Sequence, residues 1–210
     1  MTPHTTLKDR LRRIAIAAAC VPPAVLLHEL GHWVGNTMAG LPDATIHYAS
    51  TGFRNQPAFW SALRAGDMAL AETMGSVSGA GIAAFLGIAM SWVLMIGGAW
   101  LVRRPSIRPI RIVAAAIVLA SAVRFLPVGV MFFRGAAEHT DEAHVAQAFS
   151  VPALLPALVL FGIALAITSI IAMFRRLPVD GRRALMTDLV VGVVLGTVAW
   201  LNFVGPAVLP

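Results

Sequence analysis

The stretch Thr73–Val102, TMGSVSGAGIAAFLGIAMSWVLMIGGAWLV, runs for 30 residues without a charged side chain. About 20 apolar residues of helix cross the hydrocarbon core of a bilayer, so this run is long enough to span one. Four more apolar runs flank it, at residues 14–38, 111–133, 152–174 and 187–208; with 74–102 they make five expected spanning helices. The composition agrees. Of the 210 residues 58% are hydrophobic and 12% charged, against about 25% charged in a soluble domain. The fold class expected is an all-α integral membrane protein of about five transmembrane helices, built as a single membrane-embedded domain over residues 1–210 and solvated by the lipid bilayer.

The net charge of +6 does not point to nucleic acid, because the basic residues sit in clusters at the ends of apolar runs. Lys8, Arg10, Arg12 and Arg13 precede the first run; Arg103, Arg104, Arg108 and Arg111 separate the second from the third; Arg175, Arg176, Arg182 and Arg183 separate the fourth from the fifth. These twelve fall on one side, and Arg54, Arg64 and Arg134 on the other. The positive-inside rule then predicts a cytoplasmic N-terminus and an external C-terminus. The single cysteine, Cys20, lies in an apolar run and excludes both a disulfide framework and a cysteine-based metal site.

The longest connection is Leu41–Glu72. Ala44–Ala49 (ATIHYA) has β-type residues and predicts a short strand or hairpin, with His47 as a surface strand histidine. Residues 58–72 read either as an interfacial helix with Phe59, Trp60 and Leu63 toward lipid or as a surface loop with a partial helix. Small residues at Gly75–Gly81 predict close packing of the second span. In the first span, Pro22-Pro23 predict a kink just before a polar box.

That box is His28-Glu29-Leu30-Gly31-His32. Histidines four apart on a helix share one face, about 6 Å apart in rise, and can share a metal. Glu29 lies about 100° around the helix from His28, within reach of a metal-activated water. With six His and ten acidic residues in the chain, a chance His-Glu-x-x-His is roughly a one-in-a-hundred event. Ionisable groups in an apolar helix are costly unless paired or ligating. The box thus predicts a zinc metallopeptidase: His28 and His32 as Zn²⁺ ligands, Glu29 as general base, and peptide bonds of a membrane-associated protein as substrate. On this scheme Glu29→Gln keeps the metal and loses cleavage.

Zinc needs a further protein ligand. The remaining dense group of donors is Glu138-His139-Thr140-Asp141-Glu142-Ala143-His144, after the third span and therefore on the same side as the box. Asp141 is the preferred ligand, with Glu138, His139, Glu142 and His144 as alternatives; Thr140-Asp141-Glu142 also reads as the capped start of a short helix to Phe149. Arg124 lies inside the third span, about 20 Å of helix past Arg111, a depth similar to that of His28 past Arg13. It is a candidate oxyanion stabiliser, or a partner for Glu29 or Asp141.

The sequence His28-Glu29-Leu30-Gly31-His32-Trp33 in a hydrophobic helix resembles the site-2 protease family of membrane metalloproteases. The resemblance implies two histidine ligands and a catalytic Glu from the box helix, an Asp from a later helix, a substrate-pairing strand after the box, and a bacterial inner (plasma) membrane location. This chain has Arg124-Phe125-Leu126-Pro127 where the family has Asn before Pro, and Asp141-Glu142 where it has Asp-Gly. A non-catalytic metal transporter or scaffold is the alternative; six histidines and no His-x-x-His-His run argue against a di-iron oxygenase or desaturase. Oligomeric state is not encoded in any feature of the sequence.

Overall fold

Two adjacent prolines set the first break in the chain. The computed structural model describes residues 6–104, 108–179 and 181–209. Helix α1 (Leu7–Ala19) is capped by Thr6, whose hydroxyl accepts from the Asp9 amide at 3.2 Å, and α2 (Val21–Met38) follows at once. Pro22 and Pro23 enter in the first turn of α2, where a missing N–H does least harm. The chain breaks at Cys20, as the prolines predict; its amide closes α1 onto Ile16 and Ala17. At the far end of α2, Gly40 takes φ +65. It lets Leu41 donate to Asn36 and Gly40 to Thr37, the Schellman pattern that ends a helix.

A two-stranded antiparallel hairpin follows, β1 (Thr45–Ile46) with β2 (Thr51–Gly52). Then come α3 (Gln56–Arg64), α4 (Met68–Met74), α5 (Val77–Arg103), α6 (Arg108–Ala122), α7 (Phe125–Phe133), α8 (Asp141–Ala148), α9 (Leu154–Arg176) and α10 (Arg182–Ala199). A π-helical turn, Trp200–Val204, and α11 (Gly205–Val208) close the chain. Among the described residues, five helical segments are long and apolar enough to cross a membrane: Leu7–Met38, Val77–Arg103, Pro109–Phe133, Leu154–Arg176 and Arg182–Val208. The protein is an all-α, multi-span membrane protein with a short β-hairpin after the first span, as hydropathy predicts.

The chain packs as two compact units. The first comprises Met1–Val25, Trp92–Arg124 and Ala164–Pro210. In it, α1 lies directly on α10, because Gly192 and Gly196 leave no side chain between them; a Cβ at Gly196 would sit 2.6 Å from the Ala18 carbonyl oxygen. One turn before Gly192, Asp188 is completely buried and accepts from Arg10 Nε at 3.0 Å and Arg13 Nη1 at 3.4 Å. Removing one partner of a buried pair costs far more than the pair contributes, since a charge is left unpaired. Asp188→Ala is therefore expected to lower stability by about 3 kcal/mol, read as detergent-resistant helicity on heating. A loss indistinguishable from that of an exposed Arg12→Ala control would show the cluster to be energetically idle.

The second unit comprises Leu26–Ser91 and Phe125–Ile163. Its core holds Leu41, Phe53, Phe59, Trp60, Leu63 and Val77. The interfacial-helix expectation for residues 58–72 is corrected on two points. The segment is two helices, α3 and α4, broken at Gly66. Phe59, Trp60 and Leu63 face the protein interior rather than lipid, with Phe59 fully buried. Their spacing makes one apolar stripe, and the stripe satisfies the unit's own core. The strand at 44–49 is likewise shorter than expected. The His47 amide donates to the Ser50 carbonyl at 2.8 Å, so the chain already turns there.

Candidate metal centre

All parts of the site belong to the second unit. Close approach of α2 and α5 comes first. Gly31 and Gly35 on α2 meet Leu86 and Ala83 on α5; a Cβ at Gly31 would lie 2.6 Å from the Leu86 carbonyl oxygen. Small residues four apart let two helix backbones meet in this way. On the α5 side, Gly87 leaves the space that the His32 ring fills.

The contact places two α5 carbonyls against the two histidines. His28 Nδ1 donates to the Gly87 carbonyl at 2.6 Å, and His32 Nδ1 to the Ala83 carbonyl at 2.9 Å. The carbonyls are four residues apart, matching the spacing of the rings. Buried Ser91 adds its hydroxyl 3.1 Å from His28 Nδ1. A carbonyl can only accept, so each Nδ1 carries a proton, and in the neutral ring this leaves the lone pair on Nε2.

Asp141 completes the group. Thr140 caps α8, its hydroxyl accepting from the Ala143 amide at 3.3 Å, and Asp141 is the first residue of the helix. The two Nε2 atoms are 3.2 Å apart, and Asp141 Oδ2 lies 3.3 Å from His28 Nε2 and 3.4 Å from His32 Nε2. Donors about 2.05 Å from a tetrahedral ion stand about 3.3 Å from one another. The three separations match that requirement. This is the one group of three or more metal-binding side chains that converges among the described residues.

The catalytic scheme read from the box is corrected by this geometry. That scheme built peptide hydrolysis on the box itself, with Glu29 as the general base beside its two histidines. The group able to chelate a metal is His28, His32 and Asp141, a His-His-Asp triad and not a His-Glu-His site. Glu29 is buried, but its carboxylate is engaged elsewhere: Thr51 Oγ1 on β2 lies 2.9 Å from Glu29 Oε2 and 3.0 Å from the Glu29 carbonyl oxygen.

The other expected donors do not join the cluster. Glu138 and His139 are exposed and 3.4 Å from each other. Glu142 is fully buried on α8. His144 stacks on Trp60, ring centroids 4.1 Å apart and nearly parallel. Arg124 lies at the turn between α6 and α7 and belongs to the first unit. His47 lies in the hairpin turn, half-buried. Sequence reasoning did not find Thr51, Ser91 or the Ala83 and Gly87 carbonyls; the Ala83/Gly87 pair of small residues was the available signal.

Burial pushes the His144 imidazole down to about 4, against a smaller upward pull from the Asp141 carboxylate; Arg64, His32 and His139 push the same way as burial. A histidine whose folded pKa lies below its unfolded value of about 6.5 adds stability above that value, lost as pH falls through the window from about 6.5 to about 4. NMR of ring-labelled protein is expected to show His144 neutral at pH 5.5. A midpoint near 6.5 would mean the stacked ring is open to water.

Together the fold and the cluster define a class: a multi-pass helical membrane protein with a buried His-His-Asp cluster able to chelate a metal ion. Compared with known proteins, the chain matches no protein-family model, no curated protein and no solved structure.

Proposed function

We propose that the protein is a membrane-embedded zinc-dependent hydrolase of the endopeptidase type, with the metal held by His28, His32 and Asp141. The observation that carries this reading is the set of three donor separations, 3.2, 3.3 and 3.4 Å. Two nitrogens and one oxygen suit zinc and leave a coordination position open. When bound, the ion supplies Lewis acidity, which polarises a carbonyl and lowers the pKa of water.

The chain's own residues account for the rest. Ala83 and Gly87 hold the rings in the tautomer that leaves Nε2 free. Asp141 contributes negative charge and is a quarter exposed, which leaves an approach for substrate. The β1–β2 hairpin is anchored to the box helix through Thr51, and a two-stranded sheet offers its outer edges to an extended peptide. These features support a peptide of a membrane-associated protein as substrate. Glu29 has no part in proton transfer in this reading. The likeness to the site-2 protease family supports the same donor set, two histidines from the box helix and an Asp from a later one. The arginine distribution supports a plasma-membrane protein with its N-terminus in the cytoplasm.

The test is metal content and hydrolysis on the same preparation. Protein purified in detergent is expected to hold one zinc per chain and to cleave a peptide copied from a membrane span. A chelator should abolish cleavage, zinc should restore it, and Glu29→Gln should keep the zinc. Stoichiometric zinc with no hydrolysis of any membrane peptide would make this a non-catalytic metal site. Absence of zinc in favour of another ion would reassign the metal.

A further inference from the structure

The first unit contains a basic cleft that the metal centre does not use. Helices α5 and α9 end beside it, Arg103 being the last residue of α5 and Arg175 and Arg176 the last two of α9. With Thr168, Ile171 and Ala172 these arginines line a cleft of about 350 Å³. Positions 168, 171, 172 and 175 form one stripe along α9, apolar within the span and basic at its end. Among the described residues, the lining holds three guanidiniums and no carboxylate. Among the described residues, none of the three forms an ion pair. Both helices are membrane spans, so the cleft opens where apolar helix gives way to the headgroup layer.

We propose that this cleft binds the phosphodiester headgroup of an anionic phospholipid. Planar guanidiniums match phosphate oxygens in fork geometry and tolerate partial desolvation better than ammonium groups. A basic pocket between spanning helices is suited to an anionic headgroup. Thr168, Ile171 and Ala172 give the glycerol and upper acyl carbons a surface continuous with the charged end. The bland alternative is that the three arginines merely complement the negative ends of their helices.

The experiment uses the full chain, stripped of lipid in detergent and returned to nanodiscs of phosphatidylcholine alone or with phosphatidylglycerol. Native mass spectrometry reads the lipid retained per chain. Wild type is expected to retain phosphatidylglycerol preferentially. At about a fivefold effect per arginine, the triple variant Arg103→Gln/Arg175→Gln/Arg176→Gln should hold it about a hundredfold less tightly. The single variant Arg175→Gln should lose about fivefold, which keeps the test valid if the triple variant misfolds. Lys8→Gln/Arg12→Gln/Arg183→Gln removes equal charge from exposed positions of the same unit and should change nothing. Equal losses in both triple variants would reduce the effect to diffuse surface charge. Displacement of the lipid by inorganic phosphate at similar concentration would make this a soluble-anion site, and no preference in wild type would leave the arginines as helix-end residues only. Each of these three results overturns the proposal.

Discussion

Asp141→Ala is expected to empty the metal centre. The substitution takes away the oxygen that stands 3.3 and 3.4 Å from the two ring nitrogens and leaves two neutral imidazoles. Loss of a group that only orients a ligand costs 10- to 100-fold in metal affinity. Loss of a charged donor should cost at least about a hundredfold, near 3 kcal/mol. Zinc content after dialysis should fall from about one per chain toward zero, with helicity unchanged. Glu138→Ala is the matched control, because that carboxylate is two-thirds exposed and pairs with His139. If Glu138→Ala emptied the site and Asp141→Ala did not, the triad would be wrongly composed.

Two alanines on one helix should behave oppositely. At Gly87 a new Cβ would land on the His32 ring, which the Ala83 carbonyl and the neighbouring donors hold in place. The ring would have to leave, taking one ligand with it, and zinc affinity should fall by about a hundredfold or more. At Gly97, ten residues further along α5, a Cβ meets nothing within 4 Å. There the change removes a flexible residue from a helix interior, which is worth roughly 0.5–1 kcal/mol of added stability. Zinc titration and thermal melting on the two variants separate these outcomes. Normal zinc binding in Gly87→Ala would mean that the α2–α5 contact gives way more easily than its geometry allows.

The spans were legible because lipid solvation writes itself into long uncharged runs such as Thr73–Val102. The two histidines were legible because a spacing of four is a geometric statement about a helix. Asp141 was legible as the preferred partner, because the remaining dense group of donors follows the third span on the same side as the box, and its carboxylate converges on the rings from α8. The part assigned to Glu29 was not legible: it is adjacent in sequence and drew the proton chemistry to itself, whereas its carboxylate meets Thr51. The acceptors at Ala83 and Gly87 are backbone atoms, and no residue type announces a carbonyl in contact with a histidine. Only the small side chains that admit such contact can be read beforehand. Phe59, Trp60 and Leu63 suggested a lipid surface because aromatic and aliphatic stripes look alike whether they meet lipid or protein. Asp188 passed unnoticed inside the fifth apolar run, since its arginine partners lie some 175 residues earlier in the chain.

Helices α2 and α8 are far apart in sequence, roughly a hundred residues separating His32 from Asp141. An ion gripped by both would act as a coordinate cross-link, closing a loop as long as a small domain. The unit that carries the site would then owe part of its cohesion to metal supply. In a zinc-starved cell, proteases that sample locally opened helices would meet α8 unfastened, and the protein's lifetime would track the metal it holds.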